Sequence, residues 1–103
     1  MNRNWISLPP MAATRRKAQF TVLNEKGLHT RPSTELVKCA SKFHAEIHLC
    51  YRSDTVNAKS LLGILMLAAE KGAKIGVEAV GVDAEAAIDA LLRLAEHKFY
   101  IKY

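Results

Sequence analysis

Two spacings of hydrophobic residues alternate along this chain. From Ala18 to Leu23, Phe20 and Val22 point one way and Gln19 and Thr21 the other. That period of two predicts a short strand with one face buried. Asn24-Glu25-Lys26-Gly27 reads as a turn. From Pro32 the period lengthens, and Leu36, Cys39, Ala40 and Phe43 fall on one side of a helix. Pro32 suits its first turn, where the N–H that proline lacks would have no intrahelical partner. Alternation returns from Ala45 to Tyr51, breaks at Arg52-Ser53-Asp54, and resumes over Thr55-Val56-Asn57, which predicts a hairpin.

Lys59 to Lys71 is helical in pattern and stops at Gly72, a natural residue for a helix end. This helix carries more apolar surface than a short helix on a sheet needs. Ile64, Leu67 and Ala68 form one stripe, and Leu61, Leu62, Leu65 and Ala69 form another. The second stripe implies either unusual burial or an exposed docking patch. Lys74 to Val80 alternates again, with Ile75, Val77 and Ala79 on one face. Asp83 is a good N-cap for a last helix, which shows Ala87, Ile88, Leu91, Leu94 and Ala95 along one stripe. An aromatic tail, Phe99 to Tyr103, follows without a clear period. The order is β-α-β-β-α-β-α. Strands apolar on one face and helices with apolar stripes are satisfied by one antiparallel sheet with the helices on one side, a two-layer α+β domain.

Length and composition fit that architecture. The 103 residues suit one domain, and half of them are hydrophobic. The net charge of +5 suggests nucleic acid, but its distribution does not. Arg3, Arg15, Arg16 and Lys17 precede residue 18, and no acidic residue does. The remaining 11 basic residues nearly balance the 10 acidic ones. Residues 1–17 also hold Pro9-Pro10 and show no period, so they read as a flexible basic extension to a domain over 18–103. No apolar run reaches the roughly 18 residues of a membrane span, and the N-terminus lacks the apolar stretch of a signal peptide. Cys39 and Cys50 are too few for a disulfide scaffold. A soluble cytoplasmic protein is expected, without membrane insertion or nucleic-acid binding.

The candidate chemistry lies in "GLHTRP", residues 27–32. His29 stands where a turn enters the first helix. The first N–H groups of a helix lack partners and carry the positive end of its dipole, which makes an anion site. The same field disfavours a protonated imidazole, which favours the nucleophilic neutral form. Arg31 adds planar donors suited to phosphate, and Gly27 permits a tight turn. This set suits a histidine that takes and passes on a phosphoryl group. The plain alternative is a surface N-cap beside a solvated arginine. Ser60 is an N-cap candidate before the apolar helix. His44 and His48 share a polar face, but no further metal ligand accompanies them, and neither a metal nor another cofactor is expected.

"GLHTRPSTELVKCASKF" and, further on, "VNAKSLLGILMLAAEKGAKIGVEAVGVDAEAAIDAL" resemble the HPr family, the histidine-containing phosphocarriers of the bacterial sugar phosphotransferase system. The resemblance runs from about Ala18 to about Glu96 and holds two separate motifs in order. It implies an open-faced β-sandwich, with four antiparallel strands and three helices on one face. It implies a carrier, not an enzyme in its own right, that accepts a phosphoryl group from phosphoenolpyruvate by way of enzyme I. His29 matches the acceptor, through Nδ1, and the group passes to the A domains of sugar-specific enzymes II. Arg31 matches the residue that neutralises the phosphoryl, and Gly27, Thr30 and Pro32 support it. Ser60 matches a serine that an HPr kinase/phosphorylase modifies in many bacteria. Leu61, Leu62 and Leu65 match a docking surface for partners. A monomer is expected. A regulatory paralogue, such as a nitrogen-branch carrier, and a non-catalytic binding module on the same fold are the alternatives. The basic extension, the aromatic tail and the hairpin sequence depart from the family pattern.

Overall fold

The computed structural model describes residues 14–103. Arg15–Thr21 forms β1, Thr30–Ala40 α1, Glu46–Tyr51 β2, Asp54–Asn57 β3, Leu61–Met66 α2, Lys74–Val80 β4 and Ala84–Glu96 α3. A single turn over Lys98–Tyr100 follows. The strands form one sheet in the order β1-β4-β2-β3, and every neighbouring pair is antiparallel. This is the expected α+β fold of a four-stranded open sheet with three helices.

The alternation explains the layering. Phe20, Ile47, Leu49, Ile75, Val77 and Ala79 are buried on one face of the sheet. Leu36 and Ala40 of α1, Ile64 of α2, and Ala87, Ile88, Leu91 and Ala95 of α3 close over them. Full burial of each large side chain here contributes about 1.5–3 kcal/mol. Among the described residues no helix is long and apolar enough to cross a membrane.

Four local features differ from the sequence pattern. First, β1 begins at Arg15 and not at Ala18, pairing Arg15 with Val80 and Lys17 with Glu78. Arg15 also forms an ion pair with Glu78, and Arg16 lies 3.7 Å from Glu85. Arg15, Arg16 and Lys17 therefore belong to the sheet and not to an extension over 1–17. The rest of that extension, residues 1–13, lies outside the described residues.

Second, α2 is six residues long and does not run to Lys71. Ala68 turns left-handed, with φ of 51°. The chain after it joins the segment that follows β1: Leu28 N–H donates to the Ala69 carbonyl at 2.9 Å, Gly72 N–H to Val22 at 2.8 Å, and Val22 N–H to Ala73 at 2.9 Å. A left-handed residue costs about 1–2 kcal/mol, and three backbone hydrogen bonds worth about 1 kcal/mol each offset it. Ala69 is consequently buried and Ala68 exposed, the reverse of the uninterrupted helix.

Third, Asp83 sits at the N-cap position of α3 but makes no capping bond with its side chain. Its carboxylate instead accepts the N–H groups of His44 and Ala45, both at 2.8 Å, which ties the start of α3 to the entry of β2. These hydrogen bonds favour the ionised form, the His44 N–H foremost, and hold the Asp83 pKa below the ordinary carboxylate value.

Fourth, the aromatic tail is ordered. Lys98, Phe99 and Tyr100 are successive left-handed residues, with φ of 54°, 57° and 59°. Such a run persists only where its surroundings hold it. Phe99 is buried and meets Phe20 edge to face, with centroids 6.1 Å apart. Asn24, also buried, donates from Nδ2 to the Lys98 carbonyl at 3.0 Å. Ile101 N–H closes the turn on the same carbonyl at 3.0 Å. This reversal sends residues 102–103 towards the start of α1.

Candidate phosphoryl site

The site is assembled on a loop held from both sides. Gly27 has φ of 68°, and its N–H closes the turn on Asn24 at 2.9 Å. Any side chain at Gly27 would meet the Ala69 carbonyl oxygen. Leu28 is buried. Its carbonyl accepts the Ser33 hydroxyl at 2.9 Å, and Ser33 is itself fully buried in the first turn of α1. Pro32 is buried beside it, in the first-turn position expected of proline. Thr30 and Arg31 are exposed.

His29 is the N-cap of α1, with extended backbone angles and no side-chain capping bond. Its carbonyl accepts Ser33 N–H at 3.1 Å, so the backbone starts the helix while the imidazole remains available. The first turn contains no acidic residue. The positive end of the α1 dipole is therefore not neutralised locally. Arg31, two residues on, brings its guanidinium to the same place.

Tyr103 reaches both groups. Its ring stacks on the His29 imidazole, with centroids 5.4 Å apart and planes 26° apart. Its main-chain oxygen lies 3.3 Å from His29 Nε2. An oxygen of this kind only accepts, so the neutral tautomer that fits this contact is the one with its proton on Nε2 and its lone pair on Nδ1. Arg31 Nη1 donates to the Tyr103 hydroxyl at 3.0 Å. Lys26 Nζ stands 5.0 Å from the centre of the same ring. Sequence reasoning did not single out Tyr103 or Lys26 for this site. The only signal was that an aromatic tail follows the last helix without a period.

Ser60 is the N-cap of α2, and its hydroxyl accepts Gly63 N–H at 3.0 Å. Ser60 and His29 are not neighbours at one pole of the sheet. Lys59 Nζ donates to the Phe43 carbonyl, beyond the end of α1, at 2.7 Å. Leu28, before the start of α1, is bonded to Ala69, beyond the end of α2. The two helices therefore run in opposite directions, and the exit of α2 faces the His29 loop. Ser60 lies at the other end of its six residues, about 9 Å of helix rise away. Of the apolar stripe, Leu62 is 68% exposed and Leu61 36%, while Leu65 is half-buried. Met66, at 72%, extends the patch and was not anticipated. Among the described residues no three His, Cys, Asp or Glu side chains gather as a metal group.

The family model for the HPr component of the phosphotransferase system, described by its phosphorylation site, matches residues 16–97. The chain belongs to the HPr family. It is similar to the phosphocarrier protein HPr of Xylella fastidiosa, with 41% identity over 81 residues that cover 79% of this chain and 91% of the relative. HPr-C-His from Thermoanaerobacter tengcongensis shares the fold with a TM-score of 0.81 and 38% identity, covering 85% of this chain and 99% of that one. HPr from Bacillus anthracis gives 0.74 and 38%, covering 78% and 95%. Membership of the HPr family makes the chain a phosphocarrier, and its partners are other proteins of the phosphotransferase system.

Proposed function

We propose that His29 is the residue that carries the phosphoryl group in this chain, accepting it from phosphoenolpyruvate by way of enzyme I and passing it to enzyme II A domains. The observation that supports this reading most is the convergence of an imidazole, an uncompensated helix N-terminus and the Arg31 guanidinium. The Nδ1 lone pair attacks phosphorus, and a P–N bond forms. The donor's bond to phosphorus breaks, and its electron pair stays with the donor. The Nε2 proton does not move. The ring then bears positive charge, which an oxygen accepting from Nε2–H stabilises and which makes the imidazole a good leaving group for the next transfer. The phosphoryl group brings a charge of about −2, met by the first amides of α1 and by Arg31. Gly27 and Leu28 hold the loop against Ala69, Pro32 and Thr30 open the helix, and positioning and electrostatics supply the rest.

Ser60 is the regulatory position in this reading. A phosphate there would sit at the α2 N-terminus, beside the exposed Leu61 and Leu62, and an HPr kinase would install it from ATP. The central experiment incubates the full chain with phosphoenolpyruvate and enzyme I and maps the modification by mass spectrometry. One acid-labile, base-stable phosphoryl group on His29 is the expected result. Acceptance by a folded His29→Ala variant would sink the reading. Arg31→Ala should slow transfer while leaving the fold intact.

A further inference from the structure

Ser33 holds the peptide groups on both sides of His29. Its hydroxyl donates to the Leu28 carbonyl at 2.9 Å, and its N–H donates to the His29 carbonyl at 3.1 Å. The second bond is the ordinary opening bond of a helix, and any residue but proline at position 33 would make it. The first exists only because position 33 carries a hydroxyl. We propose that Ser33 is a positioning residue for phosphoryl transfer, its buried hydroxyl setting the direction in which the His29 imidazole leaves the backbone. This rests on the reading of His29 as the phosphoryl acceptor.

The loop leaves this task to Ser33. An N-cap residue ordinarily fixes itself by accepting a helix N–H with its own side chain. His29 makes no such bond, so its imidazole is free for chemistry and its backbone is held by other groups. A peptide group is planar, so two anchored planes fix φ and ψ of the residue between them, and with them the Cα–Cβ bond that carries the ring. The plane before His29 is anchored through the Leu28 carbonyl and the plane after it through the His29 carbonyl, both on Ser33. Without the hydroxyl, the plane between Leu28 and His29 loses its carbonyl anchor. Ser33 is fully buried, so water does not compete for this bond and the low dielectric strengthens it. The comparable bond from the Thr34 hydroxyl to the Thr30 carbonyl, at 2.8 Å, is exposed. Burial also keeps Ser33 out of reach of a partner, so its effect passes through His29, where a small misplacement of the ring slows transfer.

Ser33→Ala in the full chain is the test, because it removes one oxygen and installs the best helix former. Circular dichroism and urea unfolding establish that the variant is fully folded at the assay temperature. Transfer is measured on both sides of the carrier, from enzyme I to the chain and from the phosphorylated chain to an enzyme II A domain. The expected result is a kcat about 2- to 10-fold below the parent with both partners, the factor of one neutral hydrogen bond, and an unchanged KM for each. A role in stability alone would leave kcat of the folded variant at the parent value, and a role in docking would raise KM. Ser33→Cys, with a weaker donor at the same place, should fall between the parent and Ser33→Ala. In 15N relaxation, Ser33→Ala should gain motion at the His29 and Thr30 amides and none at Leu28, whose N–H stays bonded to Ala69. A parent-like kcat in either folded variant, a raised KM, or unchanged relaxation at His29 would overturn the proposal. The two readings fail separately. A phosphoryl group mapped to another residue removes the acceptor role of His29, whereas a parent-like kcat with His29 phosphorylated removes only the role of Ser33.

Discussion

Gly27 and Ala69 stand backbone to backbone, 42 positions apart in sequence by their numbers and adjacent in space. The Leu28 N–H reaches the Ala69 carbonyl at 2.9 Å, and a Cβ on Gly27 would overlap that same oxygen. The loop that presents His29 is thereby set by the chain leaving α2. Gly27→Ala must adopt a left-handed φ, at about 1–2 kcal/mol, and also push the Ala69 backbone away. The expected result is a loss of at least that stability in urea unfolding, with a fall in melting temperature of roughly 4–8 °C per kcal/mol. Phosphoryl transfer at low temperature should slow as well, because the His29 loop shifts. A Gly27→Ala protein as stable as the parent would show that this close approach does not constrain the loop.

The sequence made most of this architecture legible, because the period of each central element is undisturbed. Ile75, Val77 and Ala79 are buried where alternation put them, and Leu91 and Ala95 lie inward as their helical spacing required. The failures occur where a tertiary hydrogen bond or an edge overrides local pattern. Arg15, Arg16 and Lys17 are three charges in a row, so no alternation marks them as strand. Yet they lie on β1, at an edge of the sheet, where charged side chains are well tolerated and blunt unwanted pairing. Residues 67–71 have helical spacing, but the carbonyl of Ala69 is required by Leu28. The His29–Arg31 pair was legible because two residues apart at a helix start is a local relationship. Tyr103 was not, because it reaches the site through a left-handed turn that depends on Asn24 and Phe20, both far away in sequence.

Asp83 supplies a pH-dependent clamp. Its carboxylate accepts two N–H groups from the entry of β2, and its pKa is lowered by them. A depressed pKa in the folded state means that the native chain binds fewer protons there than the unfolded one. The stabilisation is therefore fully present above the ordinary carboxylate pKa and is lost as pH falls through the lowered value. Thermal melts from neutral pH into this acid range should show the parent losing stability faster than Asp83→Asn, which cannot accept through both atoms as an anion does. Parallel curves for the two proteins would mean the clamp carries no linked proton.

Ser60 is expected to have a measurable structural role apart from any modification. Its hydroxyl accepts Gly63 N–H, and α2 has no acidic residue in its first turn to compensate. Ser60→Ala should cost about 1 kcal/mol, within the usual 0.5–2 kcal/mol of a lost N-cap. Ser60→Asp should retain most of that stability, since a carboxylate both caps and suits the dipole. If a cognate kinase acts on this chain, ATP-dependent labelling should be acid-stable and should disappear in folded Ser60→Ala. Mapping of that label to Ser33 is not expected, because Ser33 is fully buried and bonded to Leu28. Ser60→Ala matching the parent in urea would remove the capping role.

The exposed apolar face of α2 is the surface we propose for docking a partner. Leu62 and Met66 are 68% and 72% exposed, four positions apart on one side of the helix, and Leu61 stands at their edge. A carboxylate placed there would be nearly harmless to the isolated chain, since surface changes usually fall within about 0.5 kcal/mol. Ile64, on the opposite side, is fully buried, so Ile64→Glu should unfold the protein and serves as the contrast. Against an apolar partner surface, Leu62→Glu would bury an unpaired charge. A hot-spot loss of about 2 kcal/mol or more weakens binding at least about 30-fold. Steady-state transfer from enzyme I should therefore show a raised KM for Leu62→Glu, and Met66→Glu should act in the same direction. Circular dichroism should show both variants folded. For Leu62→Glu the effect should fall on KM and leave kcat close to the parent value, because Leu62 lies in the first turn of α2, away from the exit that faces the His29 loop. A folded Leu62→Glu variant with unchanged KM would return this face to ordinary solvent-exposed surface.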